Sequence, residues 1–203
     1  INPANSRALI HHSWLLSESG VHDLALESAK RAVDLDPLNN ATHQALGQAL
    51  YQARNFEASL KPLLEAVRLD PGDPSFLVYT AWAYTQLGQH DAALSLLEKA
   101  VDQSGGSPFH LAEYGMALGL AGRHAEAEVV LSQLAALKGS DAASPFHFAQ
   151  VNMALGNTEA ALEGFEAAFE ARDNGLFYIG YGAQFDSLRG HPSFESLVDR
   201  MKL

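Results

Sequence analysis

The chain has 203 residues, 13 of them basic and 24 acidic, for a formal net charge of −11, and it contains no cysteine. The acid excess removes the phosphate neutralisation that drives nucleic-acid and anionic-membrane binding, and the absence of cysteine excludes disulfides, thiolate zinc sites and cysteine nucleophiles. No apolar run approaches the ~20 residues that cross a bilayer, and the chain opens on Ile1 with no leader, so a soluble, cytoplasmic segment cut from a longer protein is expected.

In chain order the elements come as five units with a period of 34 residues. The first, about 6–39, carries Ser13, Gly20, Ala25 and Ala32 and closes on Leu35-Asp36-Pro37. The second, 40–73, fills the same slots with Gly47, Arg54, Ser59 and Ala66 and closes on Leu69-Asp70-Pro71. The third, 74–107, has Ala81, Gly88, Ala93 and Ala100, with Gly105 on the closing beat; the fourth, 108–141, has Gly115, Gly122, Ala127 and Leu134, with Gly139 there. The fifth, 142–172, has Ala149, Gly156, Ala161 and Ala168. Helix breakers on a common beat mark the joints. Ile1-Asn2-Pro3 repeats the closing signature one period earlier, so a further unit is expected upstream.

Inside a unit the apolar spacing is helical, as in Ala58, Leu60, Leu63, Leu64, Val67 and Leu69. Two helices per unit follow, with the mid-unit glycine allowing the turn between them. Small residues such as Gly47, Ala81, Ala93 and Ala127 let the paired helices approach, and Leu50, Tyr84, Leu118 and Phe165 fill the space between them. Three positions depart: Arg54-Asn55 replaces the turn glycine, Glu128 stands where other units have Leu26, Leu60, Leu94 and Leu162, and Asn152 stands where Leu50 and Leu118 are expected to be buried.

The rhythm stops at about Arg172, and Asp173-Asn174-Gly175 breaks the last helix. A stack of hairpins exposes an apolar face at its end and needs a closing element. Leu176, Phe177, Tyr178 and Ile179 suit that role, followed by a helix at about 192–201 that starts on Pro192 and aligns Phe194, Leu197, Val198 and Met201. The expected organisation is an array over 1–175 and a cap over 176–203.

On Leu46-Gly47, Tyr84, Gly88, Ala93, Ala100 and the two Leu-Asp-Pro endings, the sequence resembles the tetratricopeptide repeat family. The resemblance implies an all-α, right-handed α-solenoid of about five helix-turn-helix units with a C-terminal capping segment. The stretch from Phe185 to Leu197, with Ser144-Pro145-Phe146, is similar to the end of arrays found in bacterial multidomain signalling proteins, behind winged-helix regulators, serine/threonine kinases or nucleotide cyclases. It implies a sensory or scaffolding tail in such a regulator.

No catalytic residue, metal site or cofactor is expected. His22, His90 and His124 occupy one slot in different units, displaced by whole repeats and unable to converge within the ~2.1 Å that a metal requires, and His11 and His12 diverge by about 100° around a helix. Asp34 with Asp36 and Glu126 with Glu128 diverge likewise. Asp70 and Asp73 lack the remaining ligands of a calcium loop, and Gly105-Gly106-Ser107-Pro108 reads as a helix start.

In a helical-hairpin stack the first helix of each unit lines the inner surface. The expected groove residues are Arg7, Ile10 and Trp14, with Glu18 beyond them; then Gln44, Gln48, Tyr51 and Gln52; then Val78, Trp82, Thr85 and Gln86. Phe109, Met116 and Leu120 follow in the fourth unit, and Phe146, Gln150 and Met153 in the fifth. The lining is aromatic, rich in amides and nearly uncharged. Family members that clamp the acidic tails of heat-shock chaperones use several basic residues, because a carboxylate needs charge-assisted donors; here only Arg7 is on offer. The expected partner is a protein or peptide, apolar or amphipathic, with Trp14 and Trp82 placed either in the groove or in the core of their own units. Two other functions stay open: a sensor domain that binds a small ligand or the output domain of its own parent, and a structural module for homo-oligomerisation.

Overall fold

The computed structural model describes residues 5–137 and 142–201; Ile1-Asn2-Pro3 and Gly139 of the repeat signature lie outside them. Eleven α-helices occupy the described residues: α1 Ser6–Glu18, α2 His22–Leu35, α3 Asn40–Gln52, α4 Phe56–Leu69, α5 Pro74–Gln86, α6 His90–Gln103, α7 Pro108–Leu120, α8 His124–Ala136, α9 Pro145–Ala154, α10 Thr158–Glu170 and α11 Pro192–Met201. Between α10 and α11 run two 3₁₀ turns, Asn174–Tyr178 and Ala183–Leu188. The fold is all-α.

Helix starts follow the repeat because each needs acceptors for its unpaired N–H groups. Asn5, Asn39, Asp73 and Ser107 hold the N-cap positions of α1, α3, α5 and α7. The first three accept the backbone N–H of Ala8, Ala41 and Ser75 at 3.1, 3.0 and 2.9 Å. Helix α9 breaks the beat: Ser144 caps it, with His147 completing a capping box, and it has 10 residues where those four helices have 13.

The turns between paired helices use left-handed backbone at Gly20, Gly88, Gly122 and Gly156, and Arg54 adopts it too, at φ 61°. The Arg54-Asn55 departure thus changes the residue and keeps the turn, at the steric cost that a β-carbon carries there. Gly190, one period after Gly156, has the same conformation at φ 82°. The turn register therefore persists into the segment where the side-chain pattern ends.

The chain forms two compact units, Ile1–Gln89 and His90–Leu203. In the first, α1 pairs with α2 and α3 with α4, each first helix lies against the next (α1 on α3, α3 on α5), and the second helices bridge forward (α2 on α3, α4 on α5). This is solenoid stacking. Ala25, Ala29, Ala32, Ala45, Ala49 and Ala66 are wholly buried and set the close helix spacing. At Gly47 the approach leaves no room at all, since a β-carbon would lie 2.5 Å from Leu63 Cγ. Ser13 takes the same slot in α1 by donating its hydroxyl to the Ala25 carbonyl at 2.9 Å.

In the second unit α7 packs on α6, α8 and α9, and α9 on α10. Phe165 is wholly buried at the centre of a ring cluster, with Phe146 and Phe185 each at 5.8 Å and Phe194 at 6.2 Å between centroids. The two remaining departures have local explanations. Glu128 stands exposed on α8, and Asn152 is satisfied, donating to the Phe148 carbonyl at 3.0 Å and accepting from Asn157 at 3.2 Å.

Candidate peptide-binding faces

In the first unit the face made by α1, α3 and α5 has an aromatic floor and an amide surface. Ile10, Tyr51, Val78 and Trp82 are buried, at 4, 3, 1 and 6% exposure. Tyr51 lies 6.1 Å from Trp82 between ring centroids, and Tyr79 meets Trp82 edge-on at 5.1 Å. Above this floor Gln44, Gln48, Gln52, Thr85 and Gln86 are half-buried, and Arg7 is exposed at the edge. Gln44, Gln48 and Gln52 recur every four residues, which aligns them in one row along α3.

Trp14 is half-buried and packs against Leu9, Ile10, Ala32 and Ala45, with His11 edge-on at 5.2 Å. Its indole Nε1–H is buried and has no acceptor among the described residues. Such a donor carries an unmet desolvation cost. One turn on, burial pushes the Glu18 carboxyl above its ordinary range. Trp82 belongs to the core of its unit, while Trp14 spans the core and the open face.

In the second unit the corresponding face, on α7 and α9, is occupied by the chain itself. Met116, Phe146 and Met153, at 3, 2 and 6% exposure, belong to the apolar cluster completed by Leu176, Ile179, Phe185, Leu188, Phe194 and Leu197. Gln150 is wholly buried, donates to Glu113 Oε1 at 3.4 Å, and has no donor for its own Oε1 among the described residues. Phe109 and Leu120 stay half-buried. Glu113, at 3% exposure, was not among the residues expected on this face, although its spacing to Phe109 and Met116 puts it there.

At the end of this face a cavity of about 500 Å³ is lined by Phe109, Phe146, His147, Asp173, Asn174, Gly175, Phe177 and Tyr178. His147 Nδ1 accepts the Ser144 backbone N–H at 3.0 Å. Burial holds this imidazole below its ordinary pKa, against a smaller upward pull from the Asp173 carboxylate. Asp173 Oδ1 accepts the Gly175 N–H at 2.8 Å, whereas Oδ2 is buried without a partner among the described residues.

His22, His90 and His124 each open a second helix, α2, α6 and α8. Among the described residues no three histidine, aspartate or glutamate side chains group so as to hold a metal ion, and no helix is long and apolar enough to cross a membrane.

A family model for the tetratricopeptide repeat matches residues 12–74 and 45–108. A TPR repeat-containing protein of Dictyostelium discoideum is 29% identical over 123 residues, which are 57% of this chain and 47% of that protein, so the match spans about half the length of the curated relative. Among solved structures, the chain is similar to TTC0263, a thermophilic TPR protein of Thermus thermophilus (TM-score 0.67, 20% identity, 89% of this chain and 98% of that one). It is also similar to PilW, a type IV pilus biogenesis factor (0.61, 20%, 92% and 84%), and to YrrB, a TPR protein with an unusual peptide-binding site (0.54, 23%, 87% and 91%). At these identities the structural likeness is one of fold.

Proposed function

We propose that the chain, which matches a tetratricopeptide repeat model over 12–108 and has a fold that supports protein–protein interaction, is a peptide-binding scaffold whose working face in the first unit is α1–α3–α5. The observation that carries the reading is the row Gln44, Gln48 and Gln52, half-buried and with no side-chain partner among the described residues. A helix rises about 1.5 Å per residue, which sets amides four apart at about 6 Å. Two residues of an extended chain span roughly 6.6 Å. Each glutamine can therefore pair with the backbone of every second residue of a peptide laid along α3, while the indole N–H of Trp14 takes a further carbonyl.

Aromatic and apolar side chains beneath the amides favour an apolar or amphipathic ligand, and the acidic net charge turns the surface away from nucleic acids. YrrB, of the same fold, is described as carrying a peptide-binding site. The closing motif Phe185–Leu197 supports a place at the C-terminal end of a larger bacterial regulatory protein, with 176–203 as the cap of an array over 1–175. Catalysis is not part of the proposal.

The test is selection of a displayed random peptide library on the full chain, followed by binding of the selected peptides to a variant carrying Gln44→Ala, Gln48→Ala and Gln52→Ala. A loss of about tenfold or more, equivalent to about 1.4 kcal/mol, is expected, with a change in Trp14 emission that Trp14→Phe removes. Selected peptides that bind the triple variant as tightly as the parent, or that bind as helices, overturn the reading.

A further inference from the structure

The cavity at the end of the α7–α9 face lies in the second unit and is independent of the peptide face just proposed. Its lining combines the aromatic rings of Phe109, Phe177 and Tyr178 with a single carboxylate, Asp173, and includes no lysine or arginine. His147, the one lining group able to carry positive charge, uses Nδ1 to accept a backbone N–H, which requires its unprotonated nitrogen, and burial favours the same neutral state. The Asp173 charge is therefore not offset from within the cavity.

The two carboxylate oxygens have different fates. Oδ1 holds the turn into the 3₁₀ segment through the Gly175 N–H, and Oδ2, with no exposed surface to speak of, accepts nothing from the described residues. A buried carboxylate oxygen without a donor leaves a charged group's desolvation uncompensated. Because Oδ2 is buried, an incoming donor reaches it only when a lining side chain moves; Phe177, 42% exposed and edge-on to Tyr178 at 5.8 Å and to Tyr181 at 5.4 Å, is the most exposed ring of the lining.

We propose that this cavity binds an alkylammonium group. Ring faces attract a cation through their quadrupoles, and Oδ2 supplies a charge-assisted acceptor for its N–H. An anion would meet the carboxylate, a neutral apolar ligand would leave Oδ2 unpaired, and a metal ion would find one hard ligand where several are needed. Because Oδ2 lacks a donor, a primary ammonium binds more tightly than a quaternary one of similar size. The group has two sources, a lysine side chain of a partner protein or a free small amine.

The experiment is an NMR titration of the full chain at constant ionic strength with n-butylammonium, tetramethylammonium, n-butanol, and the blocked peptide acetyl-Gly-Lys-Gly-amide. Saturable shifts at Phe177 and Tyr178 are expected with n-butylammonium, weaker binding with tetramethylammonium and none with the alcohol. Tighter binding of the peptide than of the free amine assigns the site to a partner's lysine, and the reverse order to a small amine. Asp173→Asn keeps an oxygen for Gly175 and is expected to weaken n-butylammonium by about tenfold or more, the scale of a charged hydrogen bond. Phe177→Leu, on a partly exposed ring, keeps an apolar side chain and removes the quadrupole, and is expected to weaken it several-fold. Absence of saturable shifts with either amine, equal binding of n-butanol, or unchanged affinity in either variant overturns the proposal.

Discussion

Arg200 of α11 donates to Glu166 of α10 through two hydrogen bonds, Nη1 to Oε2 at 3.0 Å and Nη2 to Oε1 at 2.6 Å, and the two residues stand 34 apart, one repeat period. Arg200 also lies over the Phe169 ring at 4.5 Å. Gly190 stands in the left-handed register of the earlier turns, and α11 packs against α10. The closing segment thus keeps the 34-residue spacing at these two positions. Because both side chains are partly exposed, at 46 and 42%, the pair marks register more than it adds stability. Glu166→Gln is expected to leave the unfolding midpoint nearly unchanged, and a large drop in thermal denaturation would contradict that assignment.

The stability of the second unit is expected to rest on the ring cluster instead. Phe185 is 1% exposed, within 6.2 Å of Phe146 and 5.8 Å of Phe165 between centroids. Phe185→Ala should cost about 3–5 kcal/mol in chemical denaturation, and removal of 176–203 should lower both solubility and cooperativity, since it uncovers Met153, Phe146 and Phe165. An unchanged melting curve after that truncation contradicts the capping role.

The tight crossing of α3 and α4 gives a prediction in the first unit. A β-carbon at Gly47 would fall 2.5 Å from Leu63 Cγ, and Leu63 is only 1% exposed, with little space to retreat. Gly47→Ala should destabilise by about 1–3 kcal/mol despite its better helix propensity. A stabilised variant would mean that the helices separate at little cost.

Arg54 points the other way. Its φ of 61° is a conformation its register partners leave to glycine. Arg54→Gly should raise stability by about 1 kcal/mol by relieving the clash of the β-carbon with the backbone, read as a higher denaturant midpoint at unchanged slope. A lower midpoint would show that the arginine side chain contributes more than the strain removes.

His147 should make the second unit sensitive to acid. Its folded pKa lies below the ordinary value of 6.5 because burial disfavours the charged ring, with Asp173 opposing in part. The unfolded chain then binds a proton at a higher pH than the folded one, so stability rises with pH just below 6.5 and is lost as acid is added. The melting temperature should fall from pH 7 to pH 5, less steeply for His147→Gln. Identical slopes in the two proteins would exclude this residue as the source.

The period itself was legible in the residues because hairpins are local. Caps at Asn5, Asn39 and Asp73, left-handed turns at Gly20, Gly88, Gly122 and Gly156, and buried alanines recurring at the helix crossings each act over a few neighbours, and repetition multiplied their signal. The two-helix make-up of each unit was readable for the same reason. Which parts of that face remain open was decided by tertiary packing alone. Met116, Phe146 and Met153 have the spacing of groove residues, and docking of the segment around Leu176, Ile179 and Phe185 turns them into core. The unpaired oxygen of Asp173 and the buried contact between Glu113 and Gln150 likewise arise between elements far apart in the chain. Helical periodicity tells a side chain which way to face; only the partner that arrives on that face determines whether it meets water, a ligand or its own chain.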